Sequence, residues 1–431
     1  MAVGEKVTVE TTDGLITSGL LIPRYQHADS NHVVLKLKSG YNIGLEVDKI
    51  KSISLVSSKS DSGERSFTPN IPAPSSELLL TKTKKSLLLL STGGTIASRI
   101  DYRTGAVHPV LSAADLYSAI PELDELAEIN PRVVSSIYSE NMTPSNWESL
   151  TKTILDARNS EPKKFDGVVV MIGTDTLAYA SAALSFSLIG FDKSVVFVGA
   201  QRSSDRPSSD AALNLKGGTV FAVDSKKPGV YVAMHENEND EFIAIHSGVR
   251  VRKNHTSRRD AFESIDAPLV ARVRDREILY SHEAPLEARL SNDVMLKTKF
   301  SPDVALIKFH PGFDPSLLDY LVESKGVKGL IIEGTGLGHV SGDSVRRIAK
   351  IVEKKEVFVG ITSQCIWGHV DLNVYDNGRD LLQAGGIPLE NMFAETAFAK
   401  LSWAIANFDT PSVIMTRNLI GEYSPRIPLN R

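Results

Sequence analysis

The sequence predicts an α/β protein in which helices cover both faces of a parallel β-sheet, preceded by a small all-β domain. After residue 85, short and continuously apolar runs such as SLLLLS (86–91), GVVVMIG (167–173) and GLIIEG (329–334) alternate with longer helical patterns. This alternation is typical of parallel strands that are buried on both sides. Ligands of such sheets bind beyond the carboxyl ends of the strands, so we expect the functional residues in the loops that follow them.

A different pattern fills the N-terminal region. Between residues 6 and 56 apolar and polar residues alternate, and turn residues at Asp13-Gly14, Asn31 and Ser39-Gly40 interrupt the runs. A period of two with such breaks predicts a small antiparallel barrel or meander, which we assign to residues 1–56. Residues 57–82 lose this periodicity and are rich in Ser and Pro, which predicts an extended linker.

Composition excludes several classes of protein. The 431 residues are 42% hydrophobic and 23% charged, which is enough for two or three globular domains. A formal charge of −4 argues against a surface coated in basic residues, and the single cysteine, Cys365, excludes an intrachain disulfide framework and a cysteine-built zinc site. The sequence has neither an apolar run long enough for a membrane span nor a signal-peptide pattern, so we expect a cytoplasmic protein.

The stretch STGGTIA (91–97) follows the first apolar strand. It does not fit the phosphate-binding P-loop, GxxxxGK[ST], because no lysine follows the glycine pair, and it does not have the GxGxxG spacing of the dinucleotide fingerprint. Two glycines let backbone N–H groups approach a ligand closely, and Thr92 beside them could attack a carbonyl carbon while these groups stabilise the oxyanion. A threonine that only caps the next helix, with a tight glycine turn, is the alternative.

A second loop, GTDT (173–176), has two hydroxyls and a carboxylate in a row after a buried strand, which helix capping alone does not explain. A third segment, HSGVRVRKNHTSRRDAF (246–262), contains Lys253 among four arginines. We expect these arginines, Arg250, Arg252, Arg258 and Arg259, to lie on a solvated face. If Lys253 lies near Asp175, the pair supplies the proton transfer that a threonine nucleophile needs.

Together these motifs carry a family resemblance. TGGTIA (92–97), GTDT (173–176), GAQR (199–202) and the lysine of RKNHTSRRDAF (252–262) resemble the L-asparaginase/glutaminase family of amidohydrolases, and the C-terminal TSQCIWGHVDLNVY (362–375) is similar to its cytoplasmic branch. The resemblance covers roughly residues 85–425. It implies an asparaginase-like two-domain fold with parallel sheets, an N-terminal domain with the catalytic loops over residues 83–292 and a C-terminal domain over residues 300–431.

The first eighty residues are not covered by this resemblance. An asparaginase-like chain with such an addition resembles the D-subunit family of archaeal-type glutamyl-tRNA(Gln) amidotransferases. This implies a glutaminase that supplies ammonia to a partner E subunit, which amidates Glu on tRNA(Gln) and carries the ATP and Mg²⁺. It also implies a homodimer within a two-plus-two complex, and no cofactor or metal on this chain. A free-standing cytoplasmic L-asparaginase with an accessory N-terminal domain is the alternative.

The resemblance also implies roles for individual residues. Thr92 matches the family's first nucleophile, Tyr102 in the following lid matches the tyrosine that activates it, and Thr174 matches the second threonine. The implied catalytic residues are Thr92, Thr174, Asp175, Lys253 and Tyr102, and the implied substrate-binding residues are Ser139, Glu140, Gly93 and Gly173. Tyr102 as a packed lid residue and Ser139 as part of a helix entry remain alternatives, as does direct attack by water in place of an acyl-enzyme. Whether the site is shared between subunits, and whether the barrel contacts a partner, a second copy or tRNA, also remains open.

Overall fold

The structure, a computed structural model, describes residues 5–21, 31–37, 42–55, 84–93, 98–100, 107–109, 121–160, 165–202, 208–281, 296–355 and 357–424. The predicted linker over residues 57–82 and the predicted lid tyrosine, Tyr102, lie outside the described residues. The chain divides into two compact units: one comprises residues 1–84, 99–108 and 205–208, and the other comprises residues 85–98, 109–204 and 209–431.

The N-terminal region forms an antiparallel sheet with the strand order β4-β3-β2-β1-β5. Its elements are β1 (Lys6–Thr11), β2 (Ile16–Leu21), β3 (His32–Leu37), β4 (Asn42–Glu46), a 3₁₀ turn (Val47–Lys49) and β5 (Ile50–Leu55). The alternation in β1 buries Val7 and Val9, which pack with Leu35 of β3. This confirms the small all-β domain. No ladder joins β4 to β5 within the described part of residues 5–55, so closure into a barrel stays a prediction.

The first lobe, which we define as residues 85–281 of the second unit, is built on an eight-stranded sheet with the order β17-β16-β13-β12-β11-β10-β6-β9. The strands described between residues 85 and 281 are β6 (Ser86–Ser91), β7 (Ser98–Ile100), β8 (Val107–Pro109), β9 (Glu128–Val133), β10 (Gly167–Met171), β11 (Ser194–Val198), β12 (Gly229–His235), β13 (Ile243–Ser247), β14 (Val251–Lys253), β15 (Phe262–Ser264), β16 (Ala271–Arg274) and β17 (Glu277–Tyr280). Parallel pairing runs from β9 through β6, β10 and β11 to β12, and antiparallel pairing continues from there to β17. Two short antiparallel pairs, β7 with β8 and β14 with β15, stand outside this sheet.

Both faces of the inner parallel strands, β6, β10, β11 and β12, are buried, as the continuous apolar runs predict, whereas the edge strand β9 is partly exposed. In β6, Leu88 and Leu90 belong to one hydrophobic cluster, whereas Leu87 and Leu89 belong to the cluster on the other face. The helices of this lobe are α1 (Pro144–Ser160), α2 (Leu177–Ser187) and α3 (Ala211–Asp224), and the 3₁₀ turns are Pro121–Glu125, Ser139–Asn141 and Thr174–Thr176. Residues of α1 and α2 lie in the cluster with Leu88, and residues of α3 lie in the cluster with Leu87.

The second lobe, residues 296–424, has a four-stranded parallel sheet in the order β18-β19-β20-β21. Its strands are β18 (Val304–Lys308), β19 (Gly329–Gly334), β20 (Phe358–Ser363) and β21 (Ile387–Pro388). Its helices are α4 (Ser316–Asp319), a π-helical turn (Tyr320–Ser324), α5 (Gly342–Lys355), α6 (Asp376–Gln383), α7 (Ala394–Asn407) and α8 (Pro411–Met415). The predicted α/β architecture, with parallel strands in the sheets of both lobes, is therefore confirmed.

Helix α7 joins the second lobe to the first. Its ring contacts with α2 are between Tyr179 and Phe398, whose centroids lie 6.0 Å apart, and between Phe186 and Trp403, at 5.7 Å. Such aromatic pairs are worth about 0.5–1.5 kcal/mol beyond the area that they bury. Because α2 begins directly after the GTDT loop, α7 helps to hold that loop in place.

A buried ion pair joins α7 to the C-terminal segment that follows α8. Lys400 of α7 and Glu422 have no solvent exposure, and Nζ lies 2.6 Å from Oε1. Lys400 also donates to the carbonyls of Met415 and Arg417, and the Glu422 carboxylate accepts backbone N–H bonds from Leu419 and Ile420. Burial lowers the pKa of Lys400, while the nearby carboxylate favours its charged form.

We expect Lys400→Met to lower the free energy of unfolding by about 3–5 kcal/mol, because the similar-sized side chain leaves the Glu422 carboxylate buried without its cation. Chemical denaturation of the full chain measures this loss. Lys354→Met, at an exposed position of α5, is the control and should stay within about 0.5 kcal/mol of the unsubstituted protein. Equal stability of the two variants would contradict a stabilising role for the buried pair.

Candidate active site

A lysine, a threonine and an aspartate meet at the carboxyl end of β10. Lys253 Nζ donates to Thr174 Oγ1 at 2.8 Å and to Asp175 Oδ1 at 2.7 Å. Thr174 is buried, and the Lys253 side chain is 14% exposed, whereas the Asp175 side chain is 68% exposed. In this cluster the hydroxyl is therefore buried and the carboxylate faces solvent, and the ammonium group lies between them and contacts both.

The position of Lys253 follows from the hairpin of β14 and β15. Lys253 is paired with Phe262 across this hairpin, and Val251, two residues earlier on the same face, is fully buried. Because alternate residues of a strand point the same way, burial of Val251 turns Lys253 toward the protein interior and the GTDT loop. The sequence placed this lysine 78 positions from Asp175, and only the fold brings the two together.

Thr92 directly follows β6, the strand that pairs with β10. Ser91 of β6 is paired with Met171 of β10, so the residues after them emerge side by side, about 4.8 Å apart. Thr92 is buried, and both its backbone N–H and its hydroxyl donate to the carbonyl of Met171 at 3.0 Å. Its hydroxyl is thus bound to a carbonyl of the neighbouring strand.

Gly93 turns the chain sharply after Thr92. Its φ is +105°, and a Cβ built on it would lie 2.6 Å from the carbonyl oxygen of Ile137. Any other residue would be strained in this conformation and would also clash with the backbone. The glycine requirement inferred from the TGG stretch therefore has a structural cause, while Gly94 and Thr95 lie outside the described residues.

Ser139 and Gly173 meet on the other side of the GTDT loop. A Cβ built on Gly173 would lie 2.7 Å from Ser139 Oγ, and Thr176 donates its hydroxyl to the carbonyl of Ser139 at 2.7 Å. The turn that carries Ser139 is therefore attached directly to the loop that carries Thr174. Glu140, the next residue of this turn, is exposed.

The GAQR segment (199–202) packs against Thr174. A Cβ on Gly199 would lie 2.7 Å from Thr174 Cγ2, so this glycine gives room to the threonine methyl group. The loop is held by Asp210, which accepts the N–H groups of Gln201 and Arg202 at 3.0 Å, and by Asn214, which donates to the Gly199 carbonyl. Sequence reasoning missed both Asp210 and Asn214, although an aspartate directly before a helix is a recognisable signal.

The prediction that four arginines near Lys253 form a solvated face is wrong for Arg250. Arg250 is 2% exposed and donates to the carbonyls of Asn391, Glu422 and Asp266, and burial lowers its pKa to about 10. The periodic charge pattern could not reveal this, because the carbonyls that bind the guanidinium come from 16 to 172 positions away. Arg252 and Arg259 do not lie on a solvated face either, because their side chains are only 26% and 16% exposed and bind Glu395 and Asp240. Arg258, with a 50% exposed side chain, does lie at the surface.

Neither a metal centre nor a membrane span is evident in the part of the chain that is described. There, no three His, Cys, Asp or Glu side chains are grouped as they would be around a metal ion. Likewise, none of the described helices has the length and apolar character needed to cross a bilayer.

Three family models match the chain. The model described as "Asparaginase, N-terminal" matches residues 86–286, "Glutaminase/Asparaginase C-terminal domain" matches residues 303–416, and "GatD N-terminal domain" matches residues 1–56. Their order along the chain follows the two lobes and the N-terminal sheet.

Similar solved structures support the fold. The thermostable L-asparaginase from Thermococcus kodakarensis superposes with a TM-score of 0.70 at 31% identity, over 79% of this chain and 100% of that one. A probable cytoplasmic L-asparaginase from Campylobacter jejuni superposes with a TM-score of 0.66 at 27% identity, over 77% of this chain and 98% of that one.

Curated relatives match nearly the whole length. The D subunit of glutamyl-tRNA(Gln) amidotransferase from Thermofilum pendens is 46% identical, over 98% of this chain and 93% of the relative. The corresponding D subunit from Pyrococcus furiosus is 43% identical, over 98% of this chain and 92% of the relative. The chain therefore belongs to the D-subunit family of glutamyl-tRNA(Gln) amidotransferases and has the asparaginase fold.

Proposed function

We propose that this chain is the glutaminase subunit of a tRNA-dependent amidotransferase and hydrolyses glutamine to glutamate and ammonia. The observation that carries the proposal is the bridge from Lys253 Nζ to Thr174 Oγ1 and Asp175 Oδ1, next to the strand end that carries Thr92. A hydroxyl that is hydrogen-bonded to a lysine, which is itself hydrogen-bonded to a carboxylate, is an arrangement that activates a weak nucleophile. Membership of the D-subunit family supports glutamine as the substrate.

Thr92 forms the acyl-enzyme in this proposal. Its Oγ1 attacks the amide carbon, which breaks its hydrogen bond to the Met171 carbonyl at a net cost of about 1 kcal/mol. Lys253 gives a proton, through Thr174, to the leaving nitrogen as the C–N bond breaks, so that ammonia departs as a neutral molecule, and Lys253 takes up the Thr92 proton in its place. Backbone N–H groups of the glycine turn at Gly93 stabilise the oxyanion.

Water completes the cycle. It adds to the γ-glutamyl ester on Thr92, releases glutamate and returns the proton to the hydroxyl. Asp175 keeps Lys253 oriented toward Thr174 and is the exposed carboxylate of the cluster, suited to a substrate ammonium group. Ser139 and Gly173 form the adjoining wall, where the substrate α-carboxylate binds, with Glu140 at its rim. By family resemblance, the role proposed for Tyr102 is to activate Thr92.

A partner subunit consumes the ammonia. The family name supports a complex, and we propose an E-type partner that binds ATP, Mg²⁺ and tRNA(Gln), in a cytoplasmic assembly with two copies of this chain and two of the partner. The steps assigned to this chain use its side chains, its backbone N–H groups and water.

Hydrolysis should depend on Lys253 and Thr92. We expect Lys253→Ala and Thr92→Ala each to lower kcat for glutamine at least ~100-fold, because each removes a group that takes part in covalent chemistry or proton transfer. Ammonia release measures the loss. Arg258→Ala, at the surface near Lys253, should remain within about twofold of the unsubstituted enzyme; full activity of a Lys253 or Thr92 variant would remove that residue from the mechanism.

Glutamine hydrolysis should depend on the hydroxyl of Thr174 more than on the shape of its side chain. Thr174→Val keeps the methyl group that packs against Gly199 but loses the acceptor of the Lys253 bond, so we expect kcat to fall about 100-fold or more. Thr174→Ser keeps the hydroxyl and should retain most of the activity. If the valine variant outperformed the serine variant, the role of Thr174 would be packing alone.

Coupling to the complex distinguishes an amidotransferase component from a free-standing asparaginase. We expect glutamine hydrolysis by the chain alone to be slow and to rise at least about tenfold when the partner subunit and Glu-tRNA(Gln) are added, because uncoupled hydrolysis would release ammonia into solution. Steady-state ammonia release with glutamine and with asparagine provides the measurement. Rapid asparagine hydrolysis that is indifferent to the partner would instead favour the free-standing asparaginase.

A further inference from the structure

We propose that Glu395, on the second lobe, is a positioning residue for Lys253 and acts through Arg252. The inference rests on the proposed function, because its kinetic test measures amide hydrolysis. Arg252 Nε lies 3.0 Å from Glu395 Oε1, and the two side chains are 26% and 11% exposed. Arg252 directly precedes the lysine that bridges Thr174 and Asp175.

The alternation of β14 explains how this contact affects Lys253. Successive side chains of a strand point to opposite faces, so Lys253 points to the GTDT loop while Arg252 points away from it. The strand is short, Val251–Lys253, and pairs only with β15 in the described sheets. A three-residue strand in a two-stranded ribbon has little stability of its own, so its tertiary contacts decide where it lies.

The first turn of α7 supplies two of these contacts from consecutive residues. Thr396, fully buried, donates its hydroxyl to the carbonyl of Val249 at 3.0 Å, and Glu395 binds Arg252. A carboxylate in the first turn of a helix is also stabilised by the unpaired N–H groups of that turn. The helix start therefore holds the chain on both sides of Val251.

The surroundings of Glu395 make Arg252 difficult to replace. Glu395 Oε2 is buried and has no hydrogen-bond partner among the described residues. Burial, together with the Glu395 carboxylate, raises the pKa of Glu333 against the opposing effect of Lys308. Burial and the carboxylates of Glu395 and Glu333 raise the pKa of Tyr179 to about 12. Glu395 therefore lies close to a second carboxylate in a partly buried setting, and the Arg252 guanidinium is bound to it.

The same helix also holds the other half of the catalytic cluster. Ring contacts of Phe398 with Tyr179, and of Trp403 with Phe186, attach α7 to α2, which starts just after Thr174 and Asp175. Helix α7 therefore contacts both elements whose side chains must meet at 2.8 Å. A displacement of about 1 Å in such a site can cost ~100-fold in rate, which is why a residue outside the site can control it.

The first experiment compares Arg252→Gln and Glu395→Gln with a matched control, Arg158→Gln. The control substitution breaks the surface ion pair between Arg158 of α1 and Asp192. We expect kcat for glutamine to fall at least ~10-fold in the two site variants, with KM within about threefold, because proton transfer depends on the placement of Lys253. Arg252→Lys, which keeps the charge, should recover part of kcat. The control should remain within about twofold. Values of kcat within about twofold of the unsubstituted enzyme in both site variants would overturn the proposal.

A second variant separates positioning from folding. The double variant Arg252→Met/Glu395→Leu removes both charges and replaces them with apolar side chains of similar volume. We expect its thermal stability to exceed that of either single variant, because neither charge is left buried without its partner. We expect this stable double variant to keep the low kcat, because the directional contact to β14 is gone. A stable double variant with normal kcat would reduce the pair to a structural role and overturn the proposal.

A crystal structure of the double variant provides a readout that does not require activity. The separation of Lys253 Nζ and Thr174 Oγ1, 2.8 Å in the native protein, should lengthen beyond hydrogen-bond distance in the double variant and stay unchanged in Arg158→Gln. An unchanged separation in the double variant would overturn the positioning role. Failure of the unsubstituted chain, with its partner, to hydrolyse glutamine or asparagine would instead overturn the proposed function, while the distance test would still decide the role of Glu395.

Discussion

The hydrogen-bonded bridge from Lys253 to Thr174 and Asp175 is the contact on which the site depends. It joins a loop at the end of a buried parallel strand to a short hairpin that lies outside the main sheet. Neither element would hold its functional side chain in place alone. The loop is held by the buried strand before it and by α2 after it, whereas the hairpin depends on tertiary contacts with α7.

The buried sheet supplies the rigidity that this bridge needs. Strands β6 and β10 are covered on both faces, so their carboxyl ends are fixed relative to each other, and Thr92 and the GTDT loop emerge side by side. Glycines at 93, 173 and 199 then allow backbone segments and polar side chains to approach within distances that a Cβ would prevent. The small residues of these loops are therefore as much a part of the site as its polar groups.

The second lobe contributes more than a second sheet. Its helix α7 packs on α2 through two aromatic pairs, binds the β14 region through Glu395 and Thr396, and holds the C-terminal segment through the buried Lys400–Glu422 pair. Buried charges of this kind need well-defined partners, since an unpaired charge in the interior is strongly unfavourable. The polar residues at this junction thereby give the two lobes a defined relative placement, which apolar packing alone specifies less tightly.

The fold class could be predicted from the amino-acid sequence alone, and so could the strand ends at which the candidate residues lie. Local patterns carry this information: apolar runs report strands buried on both faces, and hydroxyls and glycines directly after them report functional loops. Three features depend on the folded chain: the burial of Arg250, the bonds by which Asp210 and Asn214 hold the GAQR loop, and the pairing of Glu395 with Arg252. The physical reason is that each of these outcomes depends on a partner beyond the reach of local patterns, such as the carbonyl of Glu422, 172 positions from Arg250. A one-dimensional charge pattern cannot tell an arginine that is solvated from one whose hydrogen bonds are satisfied by distant backbone carbonyls.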